Sequence, residues 1–351
     1  MKKNVFKLYA NCQMVKGAVR GTLCDLQRGR IKLIPNDLID LLSQHEGASL
    51  EEIKAGYDEI HHEVIEEYFR FLVDHDWGMW TTVPEAFTKL DLTFETPELV
   101  SNAIIDLNRF SDHDFQKLAT ELDDLGCRNL QLRIFYAMPV AELDRILQNM
   151  KFSVLRGIDV MIGFDADVSV ACFKGLCREH QRIHQILRHG APEEAIHYTS
   201  EKERHIGMIL DHPMVIDSHL HCGVVAKLYF SPNQFHFSEA LTHNTCLNKK
   251  ISVDSTGRIR NCPSLPDDYG HHGTVSLREA LFTEGFRDRW SITKDQISVC
   301  KDCEFRYVCT DCRAYIEEGE PLAKPSKCAY NPYTAQWATE STQEHVAALA
   351  V

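Results

Sequence analysis

The sequence predicts an α/β protein of two or three units, and three observations predict it. Strand-like and helix-like segments alternate between residues 85 and 235. Three strand-like stretches precede three helix-like ones within residues 1–80. Seven of the 13 cysteines crowd between Cys246 and Cys328. A length of 351 residues leaves room for units at 1–80, 85–235 and 236–351.

In the first unit, Val5–Tyr9, Val15–Cys24 and Arg30–Ile34 read as strands joined by short links, one through Arg28-Gly29. A helix is expected after Pro35-Asn36, with Asn36 as N-cap and an end near Gly47. Ser49 with Glu52 forms a capping box for the next helix. In the third, Ile60, Val64, Ile65, Tyr68, Phe69 and Leu72 share one face. Three strands followed by three helices is a winged-helix order.

In the second unit, Asn102–Leu107, Asn129–Tyr136, Gly157–Phe164 and Ile183–Leu187 read as strands. Between the first two lies a helix capped near Ser111 and Asp114, with stripe Phe115, Leu118, Ala119, Leu122 and Leu125, closed by Gly126. Pro139 opens a helix running to Met150, and a further helix is expected near Val168–Arg178. This alternation predicts a parallel sheet with helical crossovers, as in a partial β/α barrel.

The net charge of −13 argues against a nucleic-acid surface, which needs a basic stripe. No apolar run reaches the roughly 18 residues that span a bilayer. The N-terminal MKKNVFKLYANC has no apolar h-region, which predicts no signal peptide and a cytoplasmic protein. In that setting clustered cysteines point to metal rather than to a disulfide scaffold.

Cys246 and Cys262 flank Ile251–Val253, the turn Asp254–Gly257 and Arg258–Arg260, a hairpin that brings the two thiols to one end. Cys300, Cys303, Cys309 and Cys312 form two Cys-x-x-Cys pairs, and Cys328 follows after a gap. Each pair lets a tight turn offer two thiolates to a metal. Closed four-cysteine zinc sites are one possible outcome. Dense cysteines with short gaps and a distant partner favour iron–sulfur ligation, with zinc as the alternative.

The pattern Cys246-x10-Gly257-x4-Cys262, Cys300-x2-Cys303-x5-Cys309-x2-Cys312 and Cys328 resembles the SPASM domain of radical S-adenosylmethionine peptide maturases. The stretches HNTCLNKKISVDSTGRIRNCPS and VCKDCEFRYVCTDCRAY are similar to the maturases of grasp-with-spasm systems, which act beside an ATP-grasp ligase on a ribosomally made peptide. The resemblance implies two auxiliary [4Fe–4S] clusters. Cys300, Cys303, Cys309 and Cys328 would hold one. Cys246, Cys262 and Cys312 would hold the other, with Cys222 the nearest upstream candidate for its fourth ligand. The interval between Cys309 and Cys312 departs from the family, being two residues rather than its usual three.

The first unit then resembles a leader-binding recognition element. Its expected contacts are the edge Arg30, Ile31, Lys32 and Leu33, with Ile65 and Phe69 on the facing helix. The Cys-x3-Cys-x2-Cys motif of radical enzymes is missing. Residues 85–215 hold only Cys127, Cys172 and Cys177. The middle unit is therefore expected to be a relic of that fold that does not use S-adenosylmethionine. The expected role is an accessory or scaffold in peptide maturation. A redox enzyme passing electrons through its clusters and a zinc-binding adaptor are the alternatives. The sequence indicates no catalytic residue.

Overall fold

The computed structural model describes residues 3–199 and 207–338. The part of the expected third unit beyond residue 338 lies outside the described residues.

The first elements are β1 (Val5–Leu8), β2 (Cys12–Lys16), β3 (Gly21–Asp25) and β4 (Arg30–Ile34). The single strand expected over Val15–Cys24 is two arms of a hairpin. The chain reverses at Gly17–Arg20, where the Gly17 N–H donates to the Arg20 carbonyl at 3.0 Å. β2, β3 and β4 form one antiparallel sheet in that order. Helices α1 (Asn36–Gln44), α2 (Leu50–Ala55) and α3 (His62–Asp74) follow, then β5 (Gly78–Thr81), which pairs with β1.

Pro35, not Asn36, occupies the N-cap of α1; the Asn36 amide instead donates to the Gly17 carbonyl at 3.0 Å. The capping box of Ser49 and Glu52 is complete. Leu23, Leu38, Ile53, Ile65, Phe69 and Leu72 share one buried cluster. Ile60, expected on the same face, is 81% exposed because it precedes α3 in a separate 3-10 turn.

The second part is built from β6 (Asn102–Leu107), α4 (Phe115–Asp124), β7 (Asn129–Ile134), α5 (Val140–Asn149), β8 (Gly157–Gly163), α6 (Val170–Glu179) and β9 (Ile183–His189). β10 (Ala195–Tyr198) and β11 (Met208–His212) follow. The sheet has eight strands in the order β10-β11-β9-β8-β7-β6-β12-β13. β6 through β9 and β11 run parallel, and β10 is antiparallel to β11.

The last two strands, β12 (Lys250–Val253) and β13 (Ile259–Arg260), are the arms of the cysteine hairpin. β12 lies parallel to β6, so the sheet runs across the boundary expected at 235/236. Gly257 takes φ +81° in the hairpin turn, a conformation open to glycine without a Cβ penalty.

The strands are rich in buried aliphatic residues, and helices cover one face of the sheet. Leu118 and Leu122 of α4 and Leu143 and Leu147 of α5 bury their stripes against β6–β8 in one cluster. The polar exceptions are paired. Asp106 and Arg133 sit opposite each other on β6 and β7, joined at 2.6 and 2.7 Å. Arg188 and Asp211 repeat the arrangement across β9 and β11 at 2.5 Å. Each buried guanidinium thus meets a carboxylate in bidentate geometry.

Candidate metal centre

The hairpin of β12 and β13 brings Cys246 and Cys262 near each other, and Cys222 and Cys312 join them. Cys222 follows a 3-10 turn at His219–His221. The next residue, Gly223, has φ +85°, and a Cβ there would lie 2.9 Å from the Cys312 sulfur. A glycine is required at that crossing. His219 and His221 are engaged elsewhere, with Ser264 at 3.2 Å and Asp217 at 3.1 Å.

A second set collects Cys300, Cys303, Cys309 and Cys328, which lie near one another in the same way. Cys300 begins a 3-10 turn that ends at Asp302, and Cys328 is bridged to Val225. The structure therefore brings the eight cysteines into two sets of four, with Cys222 in the first. Burial pushes Cys262 up to about 11, and Cys312 and Cys300 up to about 12. Burial also raises Cys246, Cys303 and Cys309. Without metal these are neutral thiols; a bound metal would hold them as thiolates.

Each set has its own lysine, Lys294 buried and Lys250 partly so. Lys250 Nζ lies 3.6 Å from the Cys246 sulfur. Burial works against its ammonium, yet Cys246, Cys262 and Cys222 hold its pKa above the ordinary value. Lys294 Nζ donates to the Cys309 sulfur at 3.0 Å and to the carbonyls of Cys309 and Thr310 at 3.0 and 2.8 Å. Burial opposes that charge as well, and Cys309 and Asp311 raise its pKa. Asp311, held by Arg313 and Asn244 at 2.8 Å, neighbours both sets. A group of thiolates carries excess negative charge, which a buried ammonium offsets. Neither lysine is singled out by any pattern in the sequence.

Both donor sets are made of thiols, a chemistry that suits zinc and iron–sulfur groups alike. Four thiolates on one zinc would lie about 3.8 Å apart, given a tetrahedron with bonds of ~2.3 Å. Among the described residues, the one trio of donor atoms within 4.8 Å is Asp144, Glu179 and His180, with no cysteine in it. A cluster spaces its cysteines more widely because each binds its own iron.

A cavity of about 450 Å³ adjoins the first set. Cys222, Cys246 and Cys312 wall one side, with Arg133, Met161 and Lys250 among the others. None of the second set lines it. Arg133 also feels the charges of Cys222 and Cys262. Cys127 and Cys177 are buried and Cys172 is exposed on α6, all apart from both sets.

A larger cavity of about 650 Å³ opens where β6 and β7 begin, beside α7 (Gln234–Thr242). Its wall includes Arg128, Arg156 and Glu239. Burial raises Glu239 to about 7, against the opposing effects of Asn248 and Lys250. An unfolded glutamate titrates near ~4.3. Because the folded value is the higher, the stability Glu239 contributes is full below ~4.3 and lost as pH rises through about 7. Glu239→Gln is expected to remove roughly 2–3 kcal/mol of pH dependence across that window. Urea denaturation near pH 5 and near pH 8 checks this.

The leader-binding residues expected from the sequence divide. β4 is an edge strand, with β3 as its one partner. Arg30 lies over the Trp77 ring at 4.9 Å and Lys32 over Phe71 at 5.4 Å, so the basic face of the strand turns to α3 and its end. Leu33 is 42% exposed, while Ile31 packs against the cluster that holds Phe305. Ile65 and Phe69 are core residues, 3% and 2% exposed, and Phe69 also lines a cavity of about 490 Å³ between β1, β2 and α1. The periodicity that suggested them marks the buried stripe of α3.

No family profile and no curated protein matches the chain.

Proposed function

We propose that this protein is an iron–sulfur component of ribosomal-peptide maturation, acting as an accessory or scaffold beside an ATP-grasp ligase in the cytoplasm. The observation that carries the reading is the division of eight cysteines into two sets of four, each with a lysine ammonium at a cysteine sulfur. In this reading residues 236–338 belong to a SPASM-like domain, with Cys222, Cys246, Cys262 and Cys312 holding one [4Fe–4S] cluster and Cys300, Cys303, Cys309 and Cys328 the other. The eight-stranded sheet is the remnant of a radical-enzyme barrel, and residues 1–80 are a winged-helix-like reader of the precursor's leader. Bound clusters would supply electron-transfer chemistry. The chain's own contribution is to bury the thiols, offset their charge through Lys250 and Lys294, and present an open strand edge to a peptide. Among the described residues no helix is long and apolar enough to cross a membrane.

The cavity walled by Cys222, Cys246 and Cys312 favours a second reading, a redox enzyme whose first set exchanges electrons with a ligand. Zinc in place of iron would make the protein a structural adaptor.

A leader peptide encoded beside this gene is expected to bind the full chain along β4 by strand addition. Leu33→Pro should weaken binding at least about tenfold, because it removes a backbone donor from that edge. Fluorescence anisotropy measures it, and equal affinity of the variant rejects this site. Reduced, metal-loaded protein is expected to form no 5′-deoxyadenosine from S-adenosylmethionine, since the three-cysteine motif is missing. Protein-dependent production above a blank overturns the accessory reading.

A further inference from the structure

The segment carrying Cys303 and Cys309 is also the seat of the first part of the chain. The Gly17–Arg20 reversal between β2 and β3 lies against it. The Ala18 N–H donates to the Asp302 carbonyl at 2.8 Å, and the Arg306 guanidinium donates to the Lys16 carbonyl at 2.7 Å. The Thr22 hydroxyl donates to the Glu304 carbonyl at 2.7 Å. Glu304 itself, with its side chain 1% exposed, accepts from Arg20 at 2.9 Å and from the Tyr330 hydroxyl at 2.5 Å. Beneath these bonds, Val15, Cys24 and Leu26 pack with Phe305, Val308 and Cys309. The approach is tight: a Cβ on Gly17 would lie 2.8 Å from the Glu304 nitrogen.

All but one of these partners lie between residues 302 and 309, a stretch that forms neither α-helix nor strand. Its backbone is ordered by turns and by what it touches. Cys300, Cys303 and Cys309 bracket it. We propose that metal occupancy of the second cysteine set and the seating of residues 3–81 are one coupled equilibrium: the metal fixes the socket, and the seated unit closes over the metal. This rests on the reading that Cys300, Cys303, Cys309 and Cys328 bind a metal. Coupling is reciprocal, so whatever unseats the first unit must loosen the metal, and removing the metal must unseat the first unit. The strand edge proposed to receive a leader would then be held in a fixed relation to the rest of the protein only in the loaded state.

The test uses the full chain, purified anaerobically. Iron and zinc are measured first, then chelator-driven metal release and amide hydrogen exchange with and without chelator. In the wild type, stripping metal is expected to expose amides of residues 12–25 together with those of 300–309. Gly17→Val drives a branched side chain into the Glu304 backbone, and Arg20→Ala removes the ion pair with little change in fold. Both should accelerate metal release about tenfold, within the ordinary range for coupled sites. Gly175→Ala, at a position with open space around it, should release metal at the wild-type rate. Wild-type protein that holds no metal overturns the reading beneath the proposal. Protein that holds metal, yet keeps residues 12–25 protected after stripping and releases metal equally fast in both variants, overturns the coupling alone.

Discussion

Replacing Cys303 with alanine is expected to remove about half of the bound metal, and Cys262→Ala the other half, because the two belong to different sets of four. The double variant should retain none. Each single change leaves three thiols and a lysine placed to offset a charge that is no longer complete. Lys294 beside the second set is 6% exposed, so its ammonium would be left poorly compensated. Loss of a structural metal removes binding energy that is also folding energy. A fall in thermal stability should therefore accompany the loss of metal, larger for Cys303→Ala because its loop also seats residues 16–22. Iron and sulfide analysis of the three variants measures the first effect and calorimetry the second. Equal and partial depletion in all three would contradict two separate sets.

The second large effect is expected at the ion pair of β6 and β7. Asp106 and Arg133 are 1% and 4% exposed and joined by two short bonds. Burial raises the Asp106 carboxyl pKa, and Arg133 opposes that rise. Arg133→Met leaves a carboxylate in the sheet interior with no counter-charge, a change that costs about 3–5 kcal/mol. The double variant Asp106→Leu with Arg133→Met should recover most of that loss, since an apolar pair of similar volume is often as stable as a buried ion pair. Urea denaturation of the wild type, the single and the double variant forms the cycle. A double variant no better than the single one would show that Arg133 acts through other contacts, such as the charges of Cys222 and Cys262 that it also feels.

Much of the sheet was legible in the sequence because its strands are buried on both faces. The segments at 102–107, 129–134 and 157–163 are short stretches rich in buried Ile, Leu and Val between helical stripes. The hairpin of Cys246 and Cys262 was legible from Asp254–Gly257. That its first strand joins β6 was not, because no local pattern records a parallel partner 148 residues away, the separation of Ser101 and Lys249 at the start of that pairing. β10, β11 and α7 were missed; Ala195–Tyr198 is a short exposed edge with little periodic signal.

The reversal at Gly17–Arg20 was read as continuous strand, since Gly17-Ala18-Val19 has no asparagine, aspartate or proline to mark a turn. Among site residues, cysteine spacing placed the thiols in sequence, and the fold brings them together. Lys250 and Lys294 were invisible, because a lysine in sequence looks solvated until its surroundings are known. For Ile65 and Phe69 the helical stripe reports burial, and both lie in the core cluster of the first unit.

The most direct measurement is the metal content of the wild-type chain purified without oxygen. Iron and acid-labile sulfide are expected in equal amounts, about eight of each per chain for two [4Fe–4S] clusters, with zinc well below one equivalent. Stoichiometric zinc without iron, or no metal at all on cysteines that remain reduced, would contradict it.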